Sequence, residues 1–181
     1  MKTKLWALLI GTLAGAHPVP AEEAGAEDIK RIGIYDSRSV AIAFVGSEVY
    51  KKTRGKLLAA KMDEQRKARE EGDKKKLEEL EAWGKAQQEL LHRQGFSTAP
   101  VDDILAHISG PLAEIRKEAN VQLLISKWDR KKLALHESAE TVDVTVRLVD
   151  AFKPNERQRK HALEIRKHDP VPLDELKDDP E

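Results

Sequence analysis

The stretch from Ser39 to Gln94 constrains this chain more than any other. Its apolar residues stand apart from one another: Val40, Phe44, Val45 and Val49 are followed by Leu57, Leu58 and Met62, at three- and four-residue spacings with charges between. That period places apolar groups on one face of a helix. A single helix from Ser39 to Glu70 would reach roughly 50 Å at 1.5 Å per residue. Gly72 then supplies a stop and Asp73 a fresh N-cap. Leu77, Leu80, Trp83, Leu90 and Leu91 carry the pattern back. The spacing therefore predicts an antiparallel helical hairpin over 39–94 with its tip at Gly72. Ala, Glu, Leu, Lys and Arg make up about half of the 181 residues, a bias of long helices rather than of sandwiches, barrels or α/β enzymes. The seam is thin, with Gly84 and Gln87 where a strict heptad wants leucine. Such an arm is marginal alone and bends easily.

The flanks read differently. Arg31-Ile32-Gly33-Ile34-Tyr35 alternates as a strand does, and Asp36-Ser37 offers a strand end and a helix cap. Gly95 to Pro100 breaks the returning helix and puts a joint at the arm's root. Ile104, Leu105, Ile108, Leu112 and Ile115 then keep a helical period, which Pro111 kinks or divides. Val121 to Ile125 reads as a β-run. Lys132-Leu133-Ala134-Leu135-His136 reads as a second strand, joined to it by a turn over Trp128 to Lys131. Asp143 is expected to cap a last core helix through Val146, Val149 and Phe152. A charged helix follows Pro154 to about Arg166, and 169–181 is an acidic tail. The expected division is a body from 29–38 and 95–153, an arm over 39–94, and a charged helix and tail over 154–181.

Charge and composition narrow the function. Thirty-two basic residues balance 32 acidic ones, which argues against a dedicated nucleic-acid binder. The arm itself, from Ser47 to Gln94, has 13 basic and 10 acidic residues. No cysteine is present, which excludes disulfides, thiol chemistry and lipoprotein acylation. Lys2, Lys4, the apolar run Leu5 to Leu13 and Ala14-Gly15-Ala16 read as a secretory signal peptide over 1–16, with a flexible leader over 17–28. The chain is thus expected to be secreted, with no transmembrane anchor. The six histidines are dispersed, outside any zinc-protease pattern, and neither a phosphate-binding loop nor a nucleophile elbow occurs. Asp103 and His107 share a helix face, but an ordinary surface pair explains them better than a metal. No catalytic set, metal or cofactor is expected, and an enzyme is not.

The order of these elements resembles the Skp/OmpH family of periplasmic chaperones. The resemblance rests on Ile32-Gly33-Ile34-Tyr35-Asp36 as an opening strand, and on Pro111-Leu112-Ala113-Glu114-Ile115 leading to Val121-Gln122-Leu123-Leu124-Ile125. It rests also on Leu133-Ala134-Leu135-His136 before Val142-Asp143-Val144-Thr145, as closing strand and D-x-T helix start. It covers about 29–153, with the hairpin matched by character only. It implies an α+β, mostly helical protein: a long helical-hairpin (coiled-coil) arm on a small β body shared between subunits, in a homotrimer. It also implies an ATP-independent holdase for unfolded outer-membrane or envelope proteins, working in the periplasm without a cofactor. The chain departs from the family in being neutral and in its region after Pro154.

Leu57, Leu58, Met62, Leu77, Leu80 and Trp83 are the candidate client contacts, though Trp83 can equally pack across the hairpin. Lys74, Lys75 and Lys76 are candidates for weak, peripheral contact with an anionic surface; the plainer reading is a solvated tip beside Glu70, Glu71 and Asp73. Asp143 and Thr145 are expected to be structural helix caps rather than ligands. The competing reading of the whole is a periplasmic coiled-coil scaffold that has the fold without the clients.

Overall fold

The computed structural model describes residues 29–173; the signal peptide and leader expected over 1–28, and the end of the acidic tail from 174, lie outside the described residues. The chain is mostly helical, with a three-stranded sheet in the order β2-β1-β3. β1 (Arg31–Tyr35) is central and pairs in parallel with β2 (Leu123–Ser126) and with β3 (Glu140–Asp143). Ile32 sits beside Leu123 and Thr141, and Ile34 beside Ile125 and Asp143. Two-residue alternation then sorts the side chains between two faces.

One face, through Tyr35, Leu124 and Val142, meets the main core. That core is built by α1 (Ser37–Val45), α5 (Asp102–Leu105), α6 (Ser109–Glu118) and α8 (Thr145–Ala151), with Val40, Phe44, Ile104, Leu148, Val149 and Phe152 buried. Each such side chain contributes about 1.5–3 kcal/mol on burial. The Phe44 ring has Phe152 edge-on at 5.8 Å and Tyr50 at 5.4 Å. The other face carries a smaller cluster, Ile32, Ile125 and Ala139, with Ile29, Ile34, Leu123 and Leu133 partly buried around it. Among the described residues its cover is one short helix, α7 (Arg130–Ala134), and the turn after it.

Three expectations need correction. The segment Lys132 to His136 is not a strand. Asp129 accepts the Lys132 amide at 3.0 Å and starts α7, and the third strand comes later, at Glu140. Leu133 and Leu135 mimic strand alternation, yet Leu133 packs on the sheet while Leu135 is 78% exposed. The strands are all parallel, so β2 and β3 are not joined by a simple turn.

The helix expected from Ser39 to Glu70 is also not continuous. Asp36 caps α1, which ends at Gly46. The Ser47 hydroxyl donates to the Phe44 carbonyl at 2.6 Å and accepts the Tyr50 amide at 3.1 Å, closing one helix and opening the next. A single turn, α2 (Glu48–Tyr50), and a π-helical turn (Lys51–Gly55) lead into α3 (Lys56–Glu71). Seven of the nine residues of α1 are buried, so this helix belongs to the body.

The stop at Gly72 stands as expected, with φ +72° and Asp73 accepting the Lys76 amide at 3.0 Å. α4 (Lys74–Phe96) then doubles back along α3, with Lys76 near Glu64 at one end and Arg54 bonded to Gln87 at the other. Pro111 falls in the first turn of α6, after a 3-10 turn (Ala106–Ile108), so the helix is divided rather than bent. The helix expected after Pro154 is α9 (Glu156–Glu164), opened by an Asn155–Gln158 capping box and followed by a 3-10 turn (Ile165–Lys167).

Gly33 is central to the sheet. A Cβ there would stand 2.7 Å from Leu124 Cδ2 and 3.2 Å from both Val121 and Val144. Gly33→Val is therefore expected to destabilise the protein by about 2–3 kcal/mol through overpacking, read as a lowered midpoint in urea unfolding.

Candidate functional site

Two sites emerge: the arm with its root, and a buried polar cluster where the three strands end.

The arm carries little buried apolar surface. Ala68 and Leu80 are its buried apolar residues. Leu80 fills the seam between α3 and α4. Leu58 and Trp83 are half-buried and, with Leu57, Tyr50, Arg54, Gln87 and Leu91, line a small cleft of about 20 Å³ near the root. Leu77 is half-buried, whereas Leu57 is 48% and Met62 69% exposed. The six candidate contacts are thus divided: Leu80 is inside, Leu58, Leu77 and Trp83 are at the seam, and Leu57 and Met62 face out. Lys74 and Lys75 are exposed at the tip, while Lys76 lies 3.8 Å from Glu64 and 3.9 Å from Glu79.

The root is more tightly organised than a glycine-proline break implies. Asp103 of α5 accepts Arg54 Nη2 at 2.5 Å and Gln94 Nε2 at 2.8 Å, so one carboxylate ties both limbs of the arm to the body. Gln94 Nε2 also donates to the Pro100 carbonyl at 3.0 Å. Of the Asp103–His107 pair, Asp103 is ion-paired with Arg54, and the His107 ring stacks on Phe44 at 5.3 Å.

The second cluster centres on Asp36, which is fully buried. Its carboxylate accepts the Arg38 amide at 3.0 Å and the Arg38 guanidinium at 3.2 and 3.0 Å. Lys127 Nζ stands 2.7 Å from Oδ2, and the Trp128 indole donates to Oδ1 at 3.3 Å. The Trp128 ring lies 4.4 Å from Lys127 Nζ and 4.9 Å from the Arg38 guanidinium carbon, within cation–π range. The Asp36 amide donates to the Thr145 hydroxyl at 3.0 Å. One residue at the end of β1 therefore binds the residues that follow β2 and β3.

Thr145 and Asp143 depart in detail from their expected role. Asp143 accepts the Thr145 amide at 2.8 Å, as a capping carboxylate does, but Val144 occupies the N-cap position of α8. Thr145 uses its hydroxyl to hold β1 rather than its own helix. Burial raises the Asp143 pKa, but hydrogen bonds from Thr145 and the nearby Arg166 outweigh it and hold the carboxyl below its usual range.

Burial by itself would raise the Asp36 pKa. Hydrogen bonds and charge from Arg38 and Lys127 outweigh burial and hold it at about 2. Sequence reasoning identified Asp36 as a cap and missed its partners. Lys127 and Trp128 lie some ninety residues away, and a buried arginine runs against the ordinary exposure of that residue. The Ile-Tyr-Asp strand end was the one available signal.

Among the described residues no helix is long and apolar enough to cross a membrane. Comparison with protein-family models, with curated proteins and with solved structures returns no match.

The depressed pKa makes a directional prediction. Asp36 contributes stability that is fully present above its unfolded value near 3.8 and is lost as pH falls towards about 2. The loss is about 2 kcal/mol, measured as unfolding free energy from pH 5 to pH 2. Asp36→Asn is expected to flatten this acid limb and to cost about 3–5 kcal/mol near neutrality, because it leaves Arg38 and Lys127 without their counter-charge.

Proposed function

We propose that this chain is an ATP-independent periplasmic holdase resembling Skp/OmpH, which binds unfolded outer-membrane or envelope proteins between helical-hairpin arms of a homotrimer. The observation that carries the reading is an arm whose buried apolar residues are only Ala68 and Leu80 and whose outgoing helix presents two large apolar side chains to water. Leu57 and Met62 are exposed on α3 while charges surround them. A surface of this kind makes weak, plural contacts that an unfolded chain of any sequence satisfies. Leu58, Leu77 and Trp83 at the seam extend it when the thin hairpin breathes.

The sheet supports the proposed assembly. Among the described residues, three short strands with no further strand beside β2 or β3 make a small sheet for one subunit. Unpaired edges are templates for strands of another copy. The face that carries Ile29, Ile34, Leu123 and Leu133 leaves these side chains only partly buried. Sharing the body among subunits covers this face and aims the arms around a common space. The signal peptide read over 1–16 supports the periplasmic part of this proposal.

One observation favours the scaffold reading instead. Leu80 is sequestered in the seam, so among the described residues of the arm proper the large apolar groups that stand well exposed reduce to Leu57 and Met62. Holding activity therefore decides between the two.

The test is suppression of aggregation of an unfolded β-barrel outer-membrane protein at stoichiometric amounts without ATP. The wild-type chain is expected to suppress it. Leu57→Ser together with Met62→Ser is expected to weaken client binding at least roughly tenfold, since each exposed side chain contributes on the order of 1 kcal/mol when covered. Stability is expected to be unchanged, because both residues already face water. Absence of suppression by the wild-type chain refutes the holdase proposal in favour of the scaffold.

A further inference from the structure

The C-terminal unit touches both places where the arm leaves the body. α9 packs against α1, and the Gln158 side chain sits on Gly46, where a Cβ would meet it at 3.1 Å. Gly46 is the point at which the outgoing limb departs. α9 is itself fixed by the buried Ala162 and by an ion pair of Arg159 with Asp150 at 2.6 Å. Beyond it, Ile165 to Val171 crosses the body and makes three tethers. Arg166 pairs with Asp143 at the end of β3. The His168 carbonyl accepts Arg38 Nη1 at 3.0 Å, reaching into the Asp36 cluster. The Val171 amide donates to the Phe96 carbonyl at 2.9 Å. Phe96 is the last residue of α4, where the returning limb re-enters the body.

The root that this segment holds is imperfectly satisfied. Among the described residues, six buried side-chain polar atoms have no hydrogen-bond partner, and three of them lie within Arg93 to Ser97: Arg93 Nε, Gln94 Oε1 and Ser97 Oγ. Buried groups without partners favour any opening that hydrates them. On the outgoing side the backbone is irregular too, with the break at Gly46-Ser47 and the π-helical turn at Lys51–Gly55. A packed root with uncompensated polar groups, flanked by helix breaks and pinned from outside, has the construction of a closed hinge.

We propose that Ile165–Val171 is a brace that holds this hinge shut, and that release of the Val171–Phe96 tether lets the arm root open and hydrate Arg93, Gln94 and Ser97. The brace governs arm motion whether the arm holds clients or not, so this proposal stands apart from the holdase reading.

The test is hydrogen exchange of the Ser97 and Ala99 amides in the full chain, both of which donate to the Arg93 carbonyl. Val171→Pro removes the tether's N–H, and Val171→Ala keeps it. The proline variant is expected to exchange roughly fivefold faster at these amides, equivalent to about 1 kcal/mol, with the alanine variant unchanged. A chain ending at Pro170 removes the tether without introducing a ring and is expected to behave like the proline variant. Ser97→Ala removes one partnerless hydroxyl and is expected to slow the same amides. Unchanged exchange in both tether variants would overturn the proposal. So would an acceleration of equal size at Ile34 and Val40, which would mean general destabilisation in place of a local hinge.

Discussion

The Asp36 carboxylate sits at the point where the chain's distant parts have to agree. β1 ends there, β2 delivers Lys127 and Trp128 to it, and the residue after β3's turn, Thr145, receives its backbone amide. A parallel sheet needs such a junction, because its strands come from segments far apart in sequence and no hairpin fixes their register. Arg38, itself fully buried, uses one edge of its guanidinium for Asp36 and another for the His168 carbonyl. Charge burial is costly, and what offsets it here is the number of hydrogen bonds that the carboxylate accepts. The pair's contribution to specificity follows from geometry: a register shift of one residue would leave these charges buried and unmatched.

From that junction the molecule divides by packing density. The body surrounds Phe44, Ile104, Leu148 and Phe152 and is closed on one side of the sheet. The arm is a charged hairpin whose helices meet at few apolar points, so its shape depends on its ends: the Gly72 turn at the tip and the Asp103 and Val171 attachments at the root. A densely packed body and an arm with few buried apolar residues are two consequences of one distribution of apolar residues. Under the proposed function they also have different tasks, with the body assembling copies and the arm meeting clients.

Much of this was legible in the sequence where local chemistry decides. The Gly72-Asp73 reversal, the opening strand at Ile32 to Tyr35 and the helix after Pro154 each carry their own signal: a left-handed glycine and a cap, period-two alternation, and an Asn155 capping box. Reading failed where tertiary context overrides local pattern. Leu133 and Leu135 alternate as a strand does, but a single aspartate cap turns that segment into α7. The run from Val40 to Met62 keeps helical spacing across Gly46, yet Ser47 closes one helix and opens another, placing α1 in the body. At the arm, spacing found the apolar residues but could not say which face inward, so Leu80 and Met62 looked equivalent. The Asp36 cluster was hidden for a different reason: its members are joined by folding alone.

Under the proposed function the outer strands and the thinly covered face of the sheet are completed by other copies of the chain, which turns single arms into a cavity. The mass of the protein in solution, by light scattering after size exclusion, tests it most directly. The account predicts a species near three times the chain mass. A clean monomer at the same concentrations would contradict it, since no other copy would then cover the face carrying Ile34 and Leu123 and no space between arms would exist.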